Sequence, residues 1–170
     1  INDDLYVVGN EIIVEGPIKG NLVVAGENIE MEGNVDGVVL VAGQTIKIKG
    51  VVKGTVWVAG GSIVVSGKIE KDLIVFAGKV LIEKGAEVGR DVIATGGTVK
   101  ILGNVGRNVK ASGGEITISG IIKGNVETSS SSLTILAPCE IKGDFSYEVV
   151  KSPDLPKEFK VGGKIYYRIR

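Results

Sequence analysis

Residues Gly9 to Ala25, GNEIIVEGPIKGNLVVA, return 17 positions later as GENIEMEGNVDGVVLVA and again as GQTIKIKGVVKGTVWVA, with glycine and apolar residues in the same places. A 17-residue period is too long for a heptad and too short for a repeat built of helices. It suits one coil of a β-solenoid, in which each coil buries its apolar faces only against its neighbours. Repeats start at Gly9, Gly26, Gly43, Gly60, Ala77, Gly96, Gly113 and Ser130. Those from Ala77 and Ser130 have 19 residues and the others 17, and both extra pairs fall at one corner, in 83–87 and 136–140.

Numbering each repeat from 0, position 3 runs from Ile12 through Ile29, Ile46 and Ile63 to Leu133, and position 5 from Val14 through Met31, Ile48 and Val65 to Ile135. Position 9 begins Ile18, Val35, Val52, position 13 begins Leu22, Val39, Val56, and position 15 begins Val24, Val41, Val58. Apolar, mostly β-branched residues two apart are strand periodicity, and no window supports a helical period. Glycines at positions 0, 7 and 11 divide each coil into three short faces, and they are expected to take positive φ at the breaks. These columns predict an all-β, parallel β-helix of triangular section and about eight coils over residues 1–148, filled by one layer of Ile and Val. Leu5 to Val8 fit the end of a preceding incomplete coil. After Tyr147 the pattern stops, 152–156 reads as a loop, and 159–170 reads as one or two closing strands, so 149–170 form a C-terminal loop with capping or assembly strands.

Composition narrows function mainly by exclusion. Lys+Arg and Asp+Glu both number 20, which gives no electrostatic reason to expect nucleic acid. Histidine is absent, and with it the usual general base and metal ligand. Two-residue corners cannot build a catalytic cleft. Asp72, Asp91 and Asp144 share position 12 singly, with Asn21 or Asn125 there in other coils, which reads as an Asx preference at a corner and not as an acid pair. No enzyme, cofactor or metal site is therefore expected. Cys139 has no second cysteine to pair with and reads as a corner residue rather than a reactive thiol, and Ser129 to Ser132 read as a polar corner. Apolar runs such as Val38 to Ala42 fall far short of the roughly 20 residues of a membrane span. Residue 1 is Ile and not Met, so an upstream signal or a downstream anchor stays open.

The lines IKIKGVVKGTVWVAG, IVVSGKIEKDLIVFAG and ITISGIIKGNVETSS resemble the bactofilins, polymer-forming cytoskeletal proteins, over roughly Leu5 to Tyr147. The resemblance implies a right-handed triangular β-helix that polymerises end to end without nucleotide. The resemblance also implies fewer coils and disordered flanking tails in the family's cytoplasmic members, so about eight coils followed by a structured tail favour the cell envelope or the outside of the cell over the cytoplasm.

Two sets of residues are candidates for assembly. Position 14 is an outward apolar column of Val23, Leu40, Trp57, Ile74 and Ile93, with Tyr6 before it, and it turns polar at Lys110. It reads as a lateral contact, as a face covered by the chain's own tail, or as strand propensity without a role. The ends of the rod carry Leu5, Tyr6 and Val7 on one side and Phe145, Tyr147, Tyr166 and Tyr167 on the other, where unpaired strand edges invite another strand. Outward charges are expected to pair between coils, as in Glu30 with Lys47, Glu32 with Lys49 and Asp36 with Lys53. The leading expectation is a structural subunit whose partner is itself. The alternative is a monomeric surface module that binds glycan or protein through the Trp57 column.

Overall fold

A computed structural model describes residues 4–169, and each coil repeats one construction. A ten-residue strand carries positions 13 to 16 and 0 to 5, and positions 8 and 9 carry a two-residue strand from Val51 on, with single bridges at Ile18 and Val35 before it. The long strands are β1 (Leu5–Val14), β2 (Leu22–Met31) and β3 (Val39–Ile48). The short β4 (Val51–Val52) then alternates with long ones through β5 (Val56–Val65), β6 (Lys68–Ile69), β7 (Leu73–Ile82), β8 (Glu87–Val88), β9 (Val92–Ile101) and β10 (Asn104–Val105). In β11 (Val109–Ile122) and β12 (Val126–Ile141) the two segments fuse around the corner. The rod closes with β13 (Phe145–Val149), β14 (Lys160–Val161) and β15 (Ile165–Ile169). All pairings are parallel, and among the described residues there is no helix.

The register follows the repeat. Val24 pairs with Val41, Gly26 with Gly43 and Ile29 with Ile46, each one coil on. The next step adds Val58, Gly60 and Ile63 to those ladders. The five predicted columns are the core: Ile18, Ile46, Ile48, Val52, Val56, Leu73 and Ile82 are buried, and so are their counterparts up the rod. Burying each such side chain is worth about 1.5–3 kcal/mol. The extra residues of the Ala77 coil form a turn between Ile82 and Glu87, and the pairing resumes with Glu87 beside Asn104. Those of the Ser130 coil shift the register between Ile118 and Gly120, so that Gly120 pairs with Cys139. In both places the rungs on either side stay in step.

Three details differ from the sequence expectation. First, the position-13 ladder has a rung in Leu5 at one end and another in Ile165 at the other, which makes about ten turns and not eight. The segment after Val149 is the last turn of the same rod: β14 pairs with β12 and β15 with β13, while 150–159 replaces a strand by a loop. Second, the corner at position 0 does not break the strand, since pairing skips only position 1 and resumes at Asn28 with Thr45. Third, among the described residues positive φ is confined to Gly120, at +85°. Most of the other corner glycines answer a crowding problem: a Cβ at Gly43 or Gly50 would run into the carbonyl oxygen of Gly26 or Gly33 one coil below, whereas one at Gly16 in the first turn or at Gly85 in the inserted turn would meet nothing. Ala77 and Ser130 stand at position 0 elsewhere, so a local shift there can take up one Cβ.

Candidate assembly surfaces

The first surface lies on one long side of the rod. Positions 14 and 16 of a strand point the same way, so the two columns lie side by side. Position 14 presents Tyr6, Val23, Leu40, Trp57, Ile74 and Ile93, and these pair rung to rung. Position 16 adds Val8, Ala25, Ala42, Ala59 and Phe76 in the same ladders. Trp57 is 47% exposed and Leu40 and Phe76 similarly so, whereas Ile74 is 9% exposed despite facing outward. Ile74 shares a shallow apolar depression with Val23, Leu40, Trp57 and Phe76, and its neighbours shield it. Sequence reading missed Phe76 and Val8; the small or apolar residues of position 16 carried the signal. The side becomes polar at Lys110 and Thr95, about two-thirds of the way up. The chain's tail does not cover it: Lys157, Glu158 and Lys160 lie by Gly120, Pro138 and Cys139, on a different side.

The second and third surfaces are the ends. At the N-terminal end β1 has one partner, β2, so its outer edge is unpaired among the described residues. Leu5 and Val7 are half-buried there, and Ile12 and Val14 are almost closed over. At the C-terminal end β15 has one partner, β13. Ile165, Tyr167 and Ile169 continue the inward ladder of Phe145, Tyr147 and Val149 but have no further rung above them among the described residues, and Tyr167 is 66% exposed. Phe145 and Tyr147, expected at the end surface, are buried one turn below it. Phe145 packs at 5.0 Å from Tyr147 and edge-on at 5.6 Å from Phe159 of the closing loop, and Tyr147 stacks on Tyr167 at 5.8 Å between ring centres. Burial pushes the Tyr147 phenol upward in pKa, and the neighbouring Tyr167 adds to the effect.

The Asx column at position 12 is a structural ladder. The N–H of Asn21 donates to Asp4 Oδ1 at 2.7 Å and that of Val38 to Asn21 Oδ1 at 2.8 Å. It resumes where Asp91 N–H donates to Asp72, Asn108 to Asp91, Asn125 to Asn108, Asp144 to Asn125 and Lys164 to Asp144, all within 3.0 Å. Each side chain therefore bonds the coil above and not its own turn, which corrects the corner-turn reading and accounts for why Asp and Asn interchange there. Asn34 and Asn104 do the same at position 8, accepting from Val51 and Ile121.

Outward charges pair as expected for Lys53 with Asp36 at 3.8 Å and Lys49 with Glu32 at 4.0 Å. Glu30 pairs with Lys49 rather than with Lys47 opposite it, because the diagonal neighbour reaches it. The Lys49 hydrogen bond holds the Glu30 carboxyl below its ordinary pKa, and the same contact raises that of Lys49. Arg107 lies 3.6 Å from Asp91. Cys139 is buried, and desolvation pushes its thiol up to about 11. Buried Ser130 Oγ and Thr128 Oγ1 find no hydrogen-bond partner.

Among the described residues no group of three or more His, Cys, Asp or Glu is placed to hold a metal ion, and no helix is long and apolar enough to cross a membrane. No family model, curated protein or solved structure matches the chain. The arrangement offers flat edges and one apolar side, which suits contact with extended surfaces.

Proposed function

We propose that the chain is a structural subunit that self-assembles end to end into a filament or scaffold resembling those of the bactofilins, at the cell envelope or outside the cell. The observation that carries this reading is the state of the two ends. Each presents an unpaired parallel strand edge beside apolar residues, Leu5 to Val8 on one and Ile165 to Ile169 on the other. Soluble β proteins ordinarily protect such edges with short strands, bulges or covering loops. A contact between ends extends the sheet by one more rung of about 4.8 Å and repeats on every copy. The apolar side then joins such threads laterally, with Trp57 and Leu40 against the same side of a second copy.

Negative-stain microscopy of the purified chain tests the proposal. Assembly gives uniform threads. Compact rods of about 45 Å at every protein concentration, the span of ten rungs, would count against it. A second reading, a monomeric module that binds glycan or protein through the Trp57 side, draws on the exposure of Trp57 and Phe76. It predicts those rods, together with quenching of Trp57 fluorescence by the bound partner.

A further inference from the structure

The two ends of the rod carry opposite charge, although the chain as a whole is neutral. In the first turn, residues 4–20, the carboxylates Asp4, Glu11 and Glu15 stand against Lys19 alone. In the last turn, residues 150–169, Lys151, Lys157, Lys160, Lys164 and Arg168 stand against Asp154 and Glu158. We infer that copies of this chain stack head to tail, the C-terminal turn of one on the N-terminal turn of the next, giving a thread with a direction. The inference rests on the assembly reading above and adds polarity and register to it.

The register follows from continuing the ladder one step beyond β15. The pairings Phe145–Ile165, Ser146–Tyr166 and Tyr147–Tyr167 advance to Ile165 on the next copy's Leu5, Tyr166 on its Tyr6 and Tyr167 on its Val7. The exposed Ile165 and Tyr167 thereby gain the cover that Phe145 and Tyr147 already have.

The charges fall into step in the same register. Lys164 occupies position 12, where the next turn brings Asp4, the first member of the Asx ladder that Lys164 ends. Lys151, whose N–H donates to the Ser131 carbonyl at position 1, lies on the side where the next turn brings Glu11 at position 2. Lys157, beside Gly120 and Pro138 at the position-7 corner, lies where it brings Glu15 at position 6. Joining two like ends instead sets carboxylates against carboxylates or cations against cations, which opposes the contact.

Charge reversal at one end tests the direction. Glu11→Lys with Glu15→Lys makes both ends basic, and Lys157→Glu with Lys164→Glu makes both acidic. In sedimentation assays at low salt, each variant alone is expected to need at least about tenfold more protein to assemble than the parent chain. An equimolar mixture of the two recovers assembly, because every joint again has opposite charges. Parent threads that either variant forms equally well overturn the polarity and leave end-to-end assembly standing. A parent chain that forms no threads at any salt overturns both. Should a variant fail to fold, the parent alone decides: rising salt weakens a joint between opposite charges and strengthens one between like charges.

Discussion

Replacing Ile46 by Ala and comparing it with Ile12→Ala tests whether the rod behaves as stacked layers. Ile46 is fully buried, with Ile29 on one side of it in the ladder and Ile63 on the other. Ile12 occupies the same position in the first turn and has only Ile29 beside it. Truncation removes three carbons in each case. The transfer term is about 0.8 kcal/mol per methylene, or roughly 2.4 kcal/mol. At Ile46 a void also remains between two fixed layers, which brings the cost to about 3–4 kcal/mol. At Ile12 the gap opens toward the end of the rod, no closed cavity forms, and the cost stays at about 2 kcal/mol. For a chain of this size each kcal/mol moves the midpoint by about 2–4 °C. Thermal and urea unfolding followed by far-UV circular dichroism should therefore lower the midpoint by about 6–15 °C for Ile46→Ala and roughly half as much for Ile12→Ala. Equal losses, or a loss under about 1 kcal/mol at Ile46, would refute the stacked-layer argument, because neither is compatible with a residue enclosed by two neighbouring rungs.

Trp57→Lys should leave the melting midpoint nearly unchanged, since surface substitutions stay within about 0.5 kcal/mol, while abolishing lateral pairing of threads in micrographs. Asn108→Ala deletes one Asx rung, and urea unfolding should show a loss of about 1 kcal/mol from the Asn125 N–H bond it breaks. Thr128→Val exchanges a buried hydroxyl without a partner for an isosteric methyl and should raise stability by about 1 kcal/mol in the same assay. The thiol of Cys139 is raised from 9.0 to about 11, so its contribution is complete below pH 9 and is lost as pH rises toward 11. Over that window the parent chain should lose up to about 1.4 kcal/mol per pH unit relative to Cys139→Ala, measured by urea unfolding.

The five columns of the core were legible in the sequence, whereas Ala86, Cys139 and Val149, which the core also buries, lie outside them. Position 5 from Val14 to Ile135 can be written down from the repeat alone, because a solenoid places residues one period apart in contact and a β-strand sends alternate residues inward. What the repeat could not give was anything that depends on how the backbones approach one another. The glycines at position 0 are equally visible whether they serve positive φ or carbonyl clearance, and only the distance between coils tells these apart. The Asx ladder was similarly misread, since the side chain of Asn108 could reach its own turn or the next, and the sequence marks only the residue type. At the C-terminal end the repeat fails where a loop replaces a strand, so Phe145 and Tyr147 looked terminal when one more turn lay above them. The charge contrast of the ends was legible from the start, but balanced totals concealed it.

The uniform ladder also frees rod length from fold. Gly26 and Gly60 would meet as well as Gly26 meets Gly43, since every coil offers its neighbours the same Ile, Val and glycine positions. Excising 43–59, or duplicating it, leaves both remaining seams chemically ordinary and changes only how far apart the two termini stand. A gene built this way can lengthen or shorten its product in steps of one rung by recombination between repeats, each intermediate folding on the same terms as its parent.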